Sequence, residues 1–316
     1  MVFRPTSQTS TLITMTSYVD PRFRPTLWPG VVIPLPLLQP RPDVEVDGDW
    51  IVWPIGGGRH GEPAELPADF YLRELAELPV DDLEAAAAVM RAHGPLFELN
   101  LRDLDLRSFD RDEVERLHGL FRWDPNMGKV FGYHRDVVNL HLELAQDAIG
   151  TWLACQRPGG LEALVEPEIT EDRLAGLQKK NHGWPASLDE LQKSLIDVRI
   201  QDLEAVISGA LSRFSVGIGD LSERTPTVYS VAFLQLYNHL VENAQVRQCA
   251  NERCRRPFVR QRGRAEYGQY RTQGVKYCSR DCARAQAQRE LRRRRNGEQS
   301  GSSPQAVPHA AESPEA

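Results

Sequence analysis

The chain has 316 residues, 41% of them apolar and 26% charged, with a formal net charge of −6; this is an ordinary globular balance with room for about two domains at roughly 150 residues each. No run of about 18 apolar residues occurs, and the apolar stretch WPGVVIPLPLLQP is interrupted by prolines, so no membrane-spanning helix is expected. The N-terminal residues lack the apolar centre and small-residue cleavage site of a secretory signal, which points to a cytoplasmic protein with reduced cysteines, whether translation starts at Met1 or Met15.

Residues 1–44 are rich in Pro, Ser and Thr without periodicity and read as an extended or disordered lead-in. The stretch DGDWIVWPIGGGRHGEP predicts one short strand entering a glycine turn; it has no Gly-Lys-Ser/Thr and so is not a phosphate-binding loop. From Pro67 the pattern becomes helical. PADFYLRELAEL and VDDLEAAAAVMRAHG combine good helix formers and acidic first turns with a terminal Gly94. DRDEVERLHGLF, HRDVVNLHLELAQDAIGTWLAC, SLDELQKSLIDVRIQDLEAVISGALSRF and TPTVYSVAFLQLYNHLVENAQ then repeat apolar residues at three- and four-residue spacing. Residues 45–245 are therefore expected to form a helical domain. His134 and His141, seven apart and near one helix face beside Glu143, make no His-Glu-x-x-His pattern and read as a solvated face or a capped core contact. No nucleophile elbow or dinucleotide fingerprint is present, and the carboxylates sit in helix first turns where the helix dipole accounts for them. The protein is not expected to be an enzyme.

Cys155 stands alone in GTWLACQRPGG and reads as a core thiol. The other four cysteines fall as Cys249-x4-Cys254 and Cys278-x3-Cys282, separated by 23 residues. In a reducing compartment two close pairs read as metal ligands before disulfides, and zinc favours a closed tetrahedron of four thiolates. Burial as small hydrophobes would need local apolar surface that this polar segment lacks. From Arg247 to Arg295 there are 16 Lys and Arg against 4 Asp and Glu, a local net of +12, which leaves −18 for the rest of the chain. A structured basic module attached to an acidic one points to a nucleic-acid partner rather than to a merely solvated charge run.

Ser279 is the expected N-cap of a final helix, with Cys282 in its first turn. Ala283, Ala287 and Leu291 predict an apolar stripe suited to packing on the finger, beside a polar stripe of Arg280, Arg284, Gln288 and Arg292. Arg289, Arg293, Arg294 and Arg295 add charge, and all seven arginines are candidate nucleic-acid contacts. Sixteen residues of helix would extend about 24 Å, enough to lie along a major groove. CANERCRRPFV reads as a knuckle leading into a hairpin with Phe258 as a small core residue, so knuckle, hairpin and ligand-bearing helix together predict a treble-clef-like four-cysteine zinc finger over residues 246–296. The low-complexity residues 297–316 read as a disordered tail.

RQCANERCRRPFV followed by a basic loop and KYCSRDCARAQAQRELRRRR resembles the CGNR-type zinc finger of bacterial transcription regulators, in which the finger follows a larger helical ABATE domain thought to sense a stress or ligand. The resemblance implies zinc at Cys249, Cys254, Cys278 and Cys282, and DNA contact from the helix that follows. This chain has ARAQ after Cys282 where the family has Gly-Asn-Arg, a second pair one residue shorter and a longer inter-pair loop. The expectation is thus a mostly α protein: a helical domain for sensing or homodimerisation, then a zinc finger that binds DNA to regulate transcription. An RNA-binding or protein-interaction module is the alternative, with Tyr267, Tyr270 and Tyr277 among Arg264 and Arg271 either stacking on unpaired bases or packing the hairpin. A nuclease on the same scaffold is disfavoured: no histidine lies between His239 and His309, and four cysteines leave no open metal position.

Overall fold

A computed structural model describes residues 18–23, 32–54, 59–97, 130–181, 184–212, 226–242, 244–260 and 276–301. The described residues are mostly helical, and the chain divides into two compact units, Met1–Val246 with Val259–Arg264, and Arg247–Phe258 with Ala265–Ala316.

In the first unit the stretch expected to give one strand does so at Trp50–Pro54, and a second strand lies just before it. β1 (Glu45–Asp47) and β2 (Trp50–Pro54) form an antiparallel hairpin turned at Gly48, whose φ of +58° suits a residue without a Cβ. A third strand, β3 (Val130–His134), pairs antiparallel with β2 and sets Ile51 opposite Tyr133. Ile51, Trp53 and Tyr133 are buried, so one sheet face joins the core.

The helices follow the predicted periodicity. After the short α1 (Phe70–Arg73) and a 3-10 turn at Leu75–Glu77 comes α2 (Leu83–His93), capped by the Asp82 carboxylate, which accepts from Ala85 N–H at 2.9 Å. α3 (Arg135–Cys155), α4 (Gly160–Val165), α5 (Glu171–Lys180), α6 (Leu188–Ser212) and α7 (Val228–Val241) complete the unit. α7 starts at a capping box between Thr227 and Ser230, and every residue from Val228 to His239 is buried. A helix buried on all sides belongs at the centre, and α7 packs on α6, which packs on α3 and α4. Segment DRDEVERLHGLF lies outside the described residues.

The proline-rich lead-in is not a loose arm where it is described. Phe23, Leu38 and Val44 are buried in the core, and Asp20 N–H donates to the Cys155 carbonyl at 2.8 Å. Asn238 of α7 satisfies both backbone groups of Ile33, accepting its N–H at 2.9 Å and donating to its carbonyl at 2.7 Å. An extended segment with sparse apolar residues shows no period, yet partners distant in the chain can hold its backbone in the core. Residues 1–17 lie outside the described ones.

Cys155 is fully buried, and desolvation pushes its thiol up to about 12. The two histidines do not share a helix face. His134 ends β3 and caps α3, its Nδ1 accepting from Asp136 N–H at 3.2 Å, whereas His141 is buried inside α3. Among the described residues no helix is long and apolar enough to cross a membrane.

The second unit contains Cys249, Cys254, Cys278 and Cys282 and the long α8 (Arg280–Gly301). β4 (Gln245–Gln248) and β5 (Pro257–Arg260) form a two-stranded sheet, with Phe258 buried. α8 runs to Gly301, past the tail boundary expected at 297; residues 302–316 lie outside the described ones.

Candidate metal centre

Local backbone bonds build the centre from its two ends. Cys249 N–H donates to the Arg256 carbonyl at 2.9 Å, and the Asn251 carbonyl accepts from Cys254 N–H at 2.9 Å and from Arg255 N–H at 3.1 Å, closing CANERC into a tight knuckle. Arg255 turns the chain with a φ of +52°. The second pair is tied to the first by Ala250 N–H, which donates to the Lys276 carbonyl at 2.7 Å. Ser279 caps α8, its hydroxyl accepting from Cys282 N–H at 3.1 Å, and so places Cys282 in the first helical turn as the sequence predicts.

The four sulfurs therefore converge. All lie within 4.8 Å of one another, with Cys254 to Cys278 at 3.6 Å and Cys278 to Cys282 at 3.5 Å. These separations are far beyond a disulfide bond, and the cysteines are free. A tetrahedral site with metal–sulfur bonds of about 2.3 Å has sulfur–sulfur edges of roughly 3.8 Å, so the donor set fits a metal ion. Electrostatics agree. Burial works against ionising the Cys249 thiol, but N–H donors from Cys278 and Asn251 outweigh it and hold the thiol down at about 7. Burial and the neighbouring thiols push Cys278 well up, and burial raises Cys254. Four sulfurs this close resist joint ionisation until a cation offsets their mutual repulsion.

The helix is docked on the knuckle by polar contacts. Buried Asn251 donates from Nδ2 to the Cys282 carbonyl at 3.0 Å, while its Oδ1 accepts from Arg253 N–H at 3.0 Å and from the Arg289 guanidinium. Buried Gln286 accepts from Glu252 N–H at 3.3 Å and from Arg289 at 3.1 Å, and donates to the Glu252 carboxylate at 3.1 Å. Arg293 forks the same carboxylate at 2.8 and 2.6 Å. The hydrogen bonds from Arg293 and then Gln286 pull the Glu252 carboxyl down to about 2. Of the apolar stripe expected to pack on the finger, Ala283 is half-buried, but Ala287 is exposed and Leu291 is 49% exposed, so the stripe as a whole is not the docking face. The knuckle presents an amide, a carboxylate and backbone groups, which a polar helix face can satisfy and alanines cannot.

The seven candidate arginines consequently divide. Arg289 and Arg293 turn to the knuckle. Arg280 and Arg284 are exposed, with Arg284 3.9 Å from Asp281. Arg292, Arg294 and Arg295 are exposed and make no ion pair among the described residues. Tyr277 is half-buried, while Tyr267, Tyr270, Arg264 and Arg271 lie outside the described residues. Sequence reasoning passed over Asn251, Glu252 and Gln286. The available signal was an Asn two residues after the first cysteine, where an Asx turn suits a knuckle, and a Gln one turn after Cys282.

In the first unit, Tyr71 Oη lies 2.8 Å from His239 Nδ1, and His239 Nε2 lies 3.6 Å from Asp69 Oδ1, all three buried. Burial raises the Asp69 carboxyl, with Arg73 opposing it.

Fold and site together define a mostly helical protein carrying a four-cysteine cluster compatible with a metal ion. No protein-family model matches the chain, and comparison with curated proteins and with solved structures gives no match.

Proposed function

We propose that Cys249, Cys254, Cys278 and Cys282 bind one zinc ion and that the finger so formed binds duplex DNA through α8, making the protein a transcription regulator whose helical unit senses a ligand or dimerises. The observation that carries the reading is the convergence of four sulfurs at the root of a helix with exposed arginines along it. Four thiolates close the coordination sphere, so the metal builds the module and offers no position to a substrate. Exposed arginines supply phosphate contacts, and 22 residues of helix span about 33 Å, ample for a major groove. The likeness of the two cysteine segments to CGNR-type fingers supports the same function.

Elemental analysis of the purified protein is expected to give one zinc per chain, and Cys278→Ser to lose it. Sequencing of co-purifying nucleic acid is expected to return duplex DNA. Recovery of RNA alone would replace the regulator with an RNA-binding module, and equal zinc in a variant lacking all four cysteines would remove the metal site.

A further inference from the structure

The residues of α8 that meet the knuckle are Cys282, Gln286, Arg289 and Arg293. With 3.6 residues per turn they fall within roughly 60° of one another around the helix, and Arg280, Arg284, Ala287, Leu291 and Arg295 fall within roughly 80° on the opposite side. The two sides have different chemistry. On the knuckle side the Glu252 carboxylate takes two donors of Arg293 in the bidentate geometry that a phosphate would use, and Asn251 with Gln286 holds Arg289. Arg293 is itself 65% exposed, so what separates the sides is the hydrogen bonding to the knuckle. On the opposite side Arg280, Arg284 and Arg295 are exposed, Arg284 and Arg295 make no bond to Asn251 or Glu252, and Leu291 stands among them. A carboxylate on the knuckle flank also repels a phosphate backbone approaching from there.

We propose that Asn251 and Glu252 are positioning residues for DNA binding: by holding Arg289 and Arg293 against the knuckle they fix the opposite side of α8, with Arg280, Arg284, Leu291 and Arg295, as the face that enters the groove. This rests on the DNA-binding function proposed above and names the surface that performs it. Duplex DNA fits that face, because arginines reach phosphates or guanine edges while an apolar side chain can rest on a thymine methyl. Arg289 and Arg293, although part of the same basic run, belong to the protein's own fold.

Two measurements on the full-length, zinc-loaded protein test this. The first is the NMR spectrum of the arginine side chains without DNA. Arg289 and Arg293 are expected to show slowly exchanging guanidinium protons, and Glu252→Gln to lose the Arg293 signal while keeping its zinc. The second is the salt dependence of affinity for a DNA duplex. Arg284→Gln and Arg295→Gln are each expected to reduce the slope of log affinity against log salt by about 0.9, and Arg293→Gln to leave it unchanged. A DNA-binding protein in which Arg293→Gln flattens the slope as Arg284→Gln does overturns the positioning role alone. A protein that shows the protected arginines yet binds no duplex overturns the functional reading. Fast exchange at both Arg289 and Arg293 overturns the internal contact itself, whatever the DNA result.

Discussion

His141 shows how one side chain can couple this fold to pH. Its ring stacks on Phe97 with centroids 3.7 Å apart and planes 12° from parallel, and its buried Nε2 has no hydrogen-bond partner. Desolvation alone depresses its pKa from 6.5 to about 3, so the folded protein holds a neutral imidazole. The unfolded chain protonates first. The contribution of this residue is thus full above about pH 6.5 and falls, by about 1.4 kcal/mol per pH unit, as pH drops toward 3. His141→Phe keeps an aromatic ring on Phe97 and removes the titration. Urea unfolding followed by tryptophan fluorescence is expected to show a shallower loss of stability between pH 6.5 and 4 in the variant than in the wild type. Equal slopes in the two proteins would mean that the imidazole is not the acid-sensitive group. Comparing variant with wild type isolates His141 from the acidic groups of the unit, which titrate in both.

At the scale of elements, the ends of helices carry the clearest tests. Gly94 terminates α2 at φ +113°, and a Cβ there would lie 2.6 Å from the Gln39 carbonyl oxygen. Gly94→Ala is therefore expected to cost on the order of 1–3 kcal/mol of stability from backbone strain, before the clash is counted. Ser279→Ala removes the cap of α8 and is expected to cost about 1 kcal/mol, read as weaker zinc retention against a competing chelator because Cys282 sits in that turn. Both positions were legible in the sequence, as were α2, α3, α6 and α7, because periodicity and caps are local signals. The cysteine cluster was legible for the same reason, each half being assembled by a short loop. Other features depend on distant partners. Ile33 is held by Asn238, 205 positions away, and β3 forms from VFGYH by pairing with a hairpin some 80 residues earlier, which no local pattern encodes. The docking side of α8 was misread because hydrophobic spacing ranks Ala287 and Leu291 above Gln286 and Arg289, whereas the knuckle asks for hydrogen-bonding groups.

On the scale of the whole molecule, the two units differ in how much apolar core they bury. The first has an extensive apolar core, from Phe23 through Trp152 to Phe233. In the second, Cys249 and Phe258 are the buried apolar side chains among the described residues, and α8 carries four successive arginines at 292–295 with Leu291 half exposed. Such a helix has little to hold it once the sulfurs separate. Binding of zinc to four thiolates can supply roughly 10–16 kcal/mol at neutral pH, enough to fold a module of this size by itself. All six tryptophans lie before residue 185, within the first unit, so tryptophan fluorescence reports on that unit alone whereas far-ultraviolet circular dichroism reports on the helices of both. A strong chelator added to the full-length protein is expected to lower the helical signal by an amount matching the 22 residues of α8, while the tryptophan spectrum and its urea midpoint stay constant. Zinc should restore the lost helicity. If fluorescence changes in step with ellipticity, the units unfold as one and the metal stabilises both; if ellipticity does not change, the cysteine cluster does not fold the finger.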